Sequence, residues 1–225
     1  MAVKDLRLER KRRRWEANKL FILKAAENIF AQKGYSLTTM DDIAAEAQFS
    51  KATIYRYFQS KSELFFEIIL NSFDEVAQKL RKIKQKEESS VQKVKDIINF
   101  TLGFYHQKKN IPRIFLMEKS LMFKIHHLLP ESDGSLGEAE VKMLDNLKNK
   151  TDRIYRIMSE IFQEGIKNGE FRPMNVMDAC YILDALLHGF YFKRFWLDKK
   201  YSYTKSAELI QSFFLLGIIK EEKKG

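Results

Sequence analysis

Apolar residues recur along this chain at spacings of three and four, the interval at which side chains share one face of an α-helix. No stretch alternates with the period of two that a half-buried strand requires. The first stripe, Ile22, Leu23, Ala26, Ile29 and Phe30, predicts a helix from about Trp15 to Lys33, with Gly34 as a left-handed stop. Thr39 reads as an N-cap with Asp42 as its capping-box partner. The helix they open is short, Met40 to Ala47, and its buried side carries Ile43, Ala44 and Ala47. Ser50 caps a second short helix, Lys51 to Phe58, and Ser60 with Glu63 starts a long one reaching Lys84. Three helix starts therefore crowd into residues 39–60.

Beyond residue 85 the segments lengthen. Ser89-Ser90 precede a helix to Gln107, and Pro112 sits in the first turn of another that ends before Pro130. Residues 130–137, rich in Ser, Gly and Asp, read as a loop. A long helix follows from Glu138 to Lys167, stopped by Asn168-Gly169, and two more run from Val176 to Leu197 and from Thr204 to Lys220. The fold class is all-α, with about nine helices. The pattern divides the chain into an N-terminal arm (1–14), a three-helix unit (15–62) and a larger helical domain (63–225).

Composition narrows the class. With 45% hydrophobic and 31% charged residues, nine Gly and three Pro in 225 positions, disorder, collagen-like repeats and a turn-rich β-sandwich are excluded. Cys180 is the single cysteine, so neither an internal disulfide framework nor a Cys-based zinc site is available. The best apolar run, Leu209 to Ile219, falls short of the roughly 18 residues a membrane span needs. The basic N-terminus lacks the apolar segment of a signal peptide. The expectation is a soluble, cytoplasmic protein. Charge then changes the picture. The formal net charge is +10, and residues 1–14 alone hold Lys4, Arg7, Arg10, Lys11, Arg12, Arg13 and Arg14 against Asp5 and Glu9. A basic arm on a nearly neutral body points to phosphate, in nucleic acid or on a membrane surface; a solvated terminus carries the same charges.

Residues 39–58 spell short helix, tight turn, short helix, the layout of a helix-turn-helix whose second helix enters the major groove of DNA. The residue types suit that task. Lys51, Arg56 and Lys61 are cations, while Thr39, Ser50, Thr53, Tyr55 and Tyr57 carry hydroxyls that can bond phosphate oxygens. Ile54 and Phe58 fall on the inward side. A helical hairpin in an unrelated bundle has the same periodicity, and pattern alone leaves both open.

The run from Thr38 to Lys61, continued by Glu63-Leu64-Phe65 and preceded by residues 22–30 and Gly34-Tyr35, resembles the signature of TetR-family transcriptional regulators over about residues 20–66. The resemblance implies an N-terminal DNA-binding domain and a larger helical domain for effector binding and dimerisation. By it, Thr39 is a phosphate-contacting N-cap, and Lys51 and Ala52 stand where bases are most often faced. Thr53, Tyr55 and Tyr57 match backbone or base contacts, Lys61 a phosphate-binding lysine, and Arg56 a variable position reaching a guanine or a phosphate. One departure is Gln48-Phe49, where the family usually has Gly-Val in the turn. A non-glycine residue in a left-handed conformation costs about 1 kcal/mol.

The last two predicted helices are apolar beyond one stripe, with Leu183, Leu186 and Phe190, then Ile210, Phe213 and Phe214, and with Gly189 and Gly217 for close approach. The resemblance makes them a twofold dimer interface; an ordinary monomeric core is the alternative. It also places an effector pocket among Phe100, Phe104, Phe115, Met122, Phe123 and Phe162, with His106 and Glu118 as polar anchors, and an ordinary core position is the alternative reading of each aromatic. A small, hydrophobic effector fits such residues. No nucleophile elbow, phosphate loop or dinucleotide fingerprint occurs, and no histidine follows a glutamate by three. No catalytic residues, metal or cofactor are therefore expected. Asp184 and His188, four apart, read as a hydrogen-bonded pair. The function expected is a homodimeric, ligand-responsive repressor on a near-palindromic operator, associated with the nucleoid when bound to double-stranded DNA. The same fold as a DNA-bound platform for a protein partner is the alternative, and a membrane-surface role the third.

Overall fold

The computed structural model describes residues 2–108, 110–111, 138–196 and 202–219. Among them are eight α-helices: α1 (Ala2–Lys33), α2 (Met40–Glu46), α3 (Lys51–Tyr57), α4 (Lys61–Lys84), α5 (Ser90–Gln107), α6 (Glu138–Lys167), α7 (Val176–Trp196) and α8 (Tyr203–Ile218). The helix expected between Pro112 and Pro130 and the loop after it lie outside the described residues. One expected boundary changes: α1 begins at Ala2, well before Trp15. The basic residues that read as an arm are good helix formers, and acidic partners one turn away support them, Arg13 with Glu9 and Arg12 with Glu16.

The chain forms two compact units, Met1–Asn71 with Asn110–Leu136, and Ser72–Lys109 with Gly137–Gly225. In the first, Ile22, Ala26 and Phe30 of α1, Ile43 of α2, Ile54 of α3, Phe58 and Leu64, Phe65 and Ile69 of α4 are almost wholly buried. Burying each large side chain of this set contributes about 1.5–3 kcal/mol. Phe65 meets Phe30 edge-on at 5.6 Å and Tyr35 at 4.9 Å, which fixes α4 against the end of α1. Gly34, at φ +80°, lets the chain leave α1 in the left-handed conformation.

In the second unit α5, α6, α7 and α8 pack around Val94, Ile98, Ile161, Phe162, Phe171, Cys180, Leu183 and Ile210. The turn after α6 is tightly built. A Cβ on Gly165 would stand 2.2 Å from the buried ring of Phe171, so only glycine lets that ring in. The Glu170 carboxylate accepts the backbone N–H groups of Ser90 and Val91 (both 3.1 Å), satisfying donors that the first turn of α5 leaves open. Lys93, buried on α5, holds both oxygens of Glu164 at 2.9 and 3.0 Å.

Candidate nucleic-acid interface

The helix-turn-helix is assembled by local chemistry. Thr39 accepts the N–H of Asp42 at 3.1 Å while the Asp42 carboxylate accepts the N–H and hydroxyl of Thr39, both at 2.9 Å. Lys33 adds an ion pair to Asp42 at 2.6 Å. That hydrogen bond, followed by those from Thr39, holds the Asp42 carboxyl down at about 2. At the turn, Gln48 takes φ +54°, the left-handed conformation that its missing glycine would have made easy. Phe49 beside it sets its ring edge-on against Phe21 of α1, at 6.2 Å. Ser50 then caps α3, accepting the N–H of Thr53 at 3.1 Å.

α3 buries Ile54 completely and turns Lys51, Ala52, Tyr55 and Arg56 to solvent, with Thr53 and Tyr57 at the edges. The four outward residues share one ridge, as i, i+1, i+4 and i+5 positions must. Tyr57 is aimed by α1: its ring stacks on Trp15 at 4.0 Å and its hydroxyl accepts from Asn18 at 3.1 Å, so its own O–H can still donate to a phosphate oxygen. Lys51 is paired with Asp41 of α2 at 2.8 Å, a hydrogen bond that raises the lysine's pKa. Both partners are more than half exposed, so an anionic ligand can take Asp41's place.

Lys61 is engaged within the motif. Its ammonium donates to the carbonyls of Tyr35 (2.7 Å), Thr38 (2.8 Å) and Ser36 (3.4 Å) and lies 4.4 Å from the centre of the Tyr35 ring. The side chain thereby fastens the α1–α2 connection to the start of α4 rather than pointing outward. The structure thus brings Ser50, Lys51, Ala52, Tyr55 and Arg56 onto one surface and leaves Thr39 and Lys61 as its scaffold.

The second unit revises the other expected sites. Phe162 is fully buried between the rings of Phe171 (5.9 Å) and Phe214 (6.0 Å), and Phe104 is buried on α5; Phe162 is core, not pocket wall. Phe100 is half-buried, and exposed His106 stacks on Tyr203 at 5.0 Å. Phe115, Glu118, Met122 and Phe123 lie outside the described residues. Of the expected dimer residues, Leu183, Ile210 and Phe214 are buried within the unit and cannot meet a second chain. Leu186 and Phe190 are half-buried, while Phe213 and Gly217 are exposed. The outward apolar residues include Tyr181 and Ile182 on α7 and Leu216 on α8. A helix buried on one side and apolar on the other presents only its outer ridge, which a count of apolar residues cannot separate from the inner one.

A polar network joins three helices of this unit. The Tyr105 hydroxyl lies 2.8 Å from Nε2 of His188, whose Nδ1 is 3.2 Å from Oδ1 of Asp184, and Tyr155 donates to Oδ2 of Asp184 at 3.1 Å. Burial raises both tyrosines above their ordinary range, and the nearby Asp184 charge adds to this. Burial, with the Asp184 charge adding to it, also pushes the Cys180 thiol up to about 12. For His188, burial opposes the charged form, but the hydrogen bond and charge of Asp184 outweigh it and the pKa is raised. The i, i+4 spacing of Asp184 and His188 is legible in sequence; the arrival of Tyr105 and Tyr155 from other helices is not. Among the described residues, no cluster of His, Cys, Asp and Glu could hold a metal, and no helix is long and apolar enough to cross a membrane.

The model of the tetR family of bacterial regulatory proteins matches residues 22–68, and that of the QacR-like C-terminal region matches residues 135–220. The HTH-type transcriptional regulator YfiR of Bacillus subtilis is 27% identical, over 68% of this chain and 67% of its own. The HTH-type transcriptional repressor KstR2 of Mycolicibacterium smegmatis is 21% identical, over 71% and 70%. Among solved structures, the regulator FadR of Bacillus subtilis in complex with stearoyl-CoA shares the fold, with a TM-score of 0.71 and 18% identity over 88% of this chain and 98% of that one. These relatives are regulators rather than enzymes. With the reader motif and the helical C-terminal region both matched, and α3 mounted as a helix-turn-helix requires, the chain belongs to the TetR family of transcriptional regulators.

Proposed function

We propose that this regulator is a ligand-responsive repressor that binds a near-palindromic operator as a homodimer. The observation that carries the reading is the outward ridge of α3, Lys51, Ala52, Tyr55 and Arg56, seated on the buried Ile54 and Phe58. In a major groove, Lys51 exchanges Asp41 for a base-edge acceptor, Tyr55 and Arg56 meet base or phosphate, and Tyr57 donates to a phosphate. Thr39 and Lys61 hold the ends of the motif so that backbone N–H groups there face the strand. The repressor character of KstR2 supports the sign of regulation.

Dimerisation would use the outer ridges of α7 and α8, where Tyr181, Ile182, Phe213 and Leu216 are exposed large apolar residues. Nothing lies within 4 Å of a Cβ on Gly189 or Gly217, leaving room for a second backbone. The effector is small and largely apolar, with the network of Tyr105, His188, Asp184 and Tyr155 as its polar anchor. The stearoyl-CoA bound by the FadR neighbour supports a lipid-like class. Effector binding acts as a population shift: it favours the conformation in which the two reading helices no longer match successive grooves.

The test is selection of bound duplexes from a random DNA pool at moderate and high salt. The reading expects a twofold-symmetric site whose preference at one or two base pairs relaxes with Lys51→Ala. Binding that selects no sequence and vanishes with salt would reduce the protein to a phosphate binder.

A further inference from the structure

The seven basic residues of the first fourteen positions are not spread evenly around α1. Arg7, Lys11, Arg14 and Asn18 follow the i, i+4, i+7, i+11 spacing of one helix face, and Arg10 lies one turn before Arg14 beside it. Glu9 and Glu16 lie on the opposite face, where they take Arg13 at 3.8 Å and Arg12 at 3.7 Å. Acid and base are thus sorted: one side of the extension is internally neutralised and the other is wholly cationic. Arg7, Arg10, Lys11 and Arg14 are all exposed. Arg7 with Lys11, and Arg10 with Arg14, are like-charge i, i+4 pairs, which destabilise a free helix and are relieved when an anionic partner binds.

The direction of that cationic side is fixed by the rest of α1. Asn18 donates to Tyr57, Trp15 stacks on Tyr57, and Phe21 meets Phe49 of the turn. The face of α1 that looks toward the turn and the end of α3 therefore continues, past Trp15, as the basic stripe. From Trp15 back to Ala2 the helix adds about 20 Å. Cations one helical turn apart, about 5.4 Å, run alongside a strand that carries one phosphate per about 3.4 Å of axis.

We propose that Arg7, Arg10, Lys11 and Arg14 form a phosphate-binding ridge that grips duplex DNA flanking the segment read by α3. The inference rests on the reading of α3 as the groove-entering helix. A lipid surface is the rival anion. It is disfavoured because the exposed Leu6 and Leu8, two residues apart on a helix, point to nearly opposite sides, and Trp15 on the side of Leu8 is stacked on Tyr57, leaving single leucines to insert.

The full-length chain with Arg7, Arg10, Lys11 and Arg14 all changed to Gln is compared with the native chain and with an Arg12→Gln/Arg13→Gln control. Circular dichroism verifies equal helicity. Binding to the selected duplex and to a random duplex is measured against salt. The ridge predicts that the slope of log K against log salt falls by about 3–4 per protomer in the quadruple variant, for both duplexes. Between roughly 50 and 200 mM salt the native chain then loses about 100-fold more affinity per protomer than the variant. The base preference stays unchanged, the control keeps most of the native slope, and phosphate-ethylation interference loses its flanking contacts. A native slope in the quadruple variant, or an equal fall in the control, overturns the ridge while specific binding still upholds the reader. Failure of every form to bind any duplex overturns both. Retention of the native chain on phosphatidylserine vesicles, lost in the quadruple variant while the DNA slope is unchanged, would assign the stripe to lipid and overturn the proposal.

Discussion

In the first unit the caps and ion pairs of the helix-turn-helix join near neighbours in sequence, Thr39 to Asp42, Ser50 to Thr53, Lys51 to Asp41 and Lys33 to Asp42, while Asn18 to Tyr57 and Lys61 to Tyr35 are its longer ties. In the second they reach across the chain. Lys93 holds Glu164, Glu170 caps α5, and Tyr105 meets His188. The difference teaches how each unit carries its task. The reader is a pair of short helices whose ends are individually fastened, and its outward ridge rests on those caps and on its seat against α1. The second unit is a core of long helices in which a polar network is assembled from residues far apart in sequence, the kind of element that two packings can bias.

The sharpest way to break this comparison is Phe162→Ala. As a core ring between Phe171 and Phe214, its loss should cost about 3–5 kcal/mol, read by denaturant melting. Hydrogen exchange should report the loss in α5–α8 while α1–α3 keep their protection. A near-neutral melt would return Phe162 to the lining of a pocket. Smaller and of opposite sign, Gln48→Gly should stabilise the reader by about 1 kcal/mol, because glycine adopts φ +54° without the side-chain penalty. An unchanged melt would mean that contacts of the Gln48 side chain offset the strain.

The capping box gives a pH test. Asp42 titrates near 2 in the folded chain against an ordinary 3.8, so its contribution is present above about pH 4 and is lost as pH falls through about 2. Amide protection of α2 should drop in that window, and Asp42→Ala should show the drop already at neutral pH. The smallest effect is expected from Asp41→Asn. Freed of its partner, Lys51 should raise affinity for random duplex a few-fold and steepen its salt dependence, read by fluorescence anisotropy. No change would mean that Lys51, even when freed, adds nothing to duplex binding.

Much of the reader is legible in the chain because its information is local. A hydroxyl three residues before an acceptor, an apolar stripe and a stop at Gly34 each act within one turn of helix. That is why α2, α3 and the buried Ile54 and Phe58 follow from pattern, whereas the strained turn at Gln48 is expected only from the family resemblance. The continuation of α1 to Ala2 was less legible, since a run of Arg and Lys reads equally as a loose arm until its i, i+4 partners Glu9 and Glu16 are paired.

Pattern along the chain yields the all-α class and most helix boundaries, and the family resemblance adds the helix-turn-helix and the residues that face outward from it. Long-range packing alone sets Lys61 on the carbonyls of Tyr35, Ser36 and Thr38. The same holds for Leu183, Ile210, Phe214 and Phe162 as core, and for the meeting of Tyr105, Tyr155, Asp184 and His188. The physical reason is range. Caps and periodicity are set by atoms a few residues apart, whereas which side of a doubly apolar helix faces inward depends on every other helix packed against it.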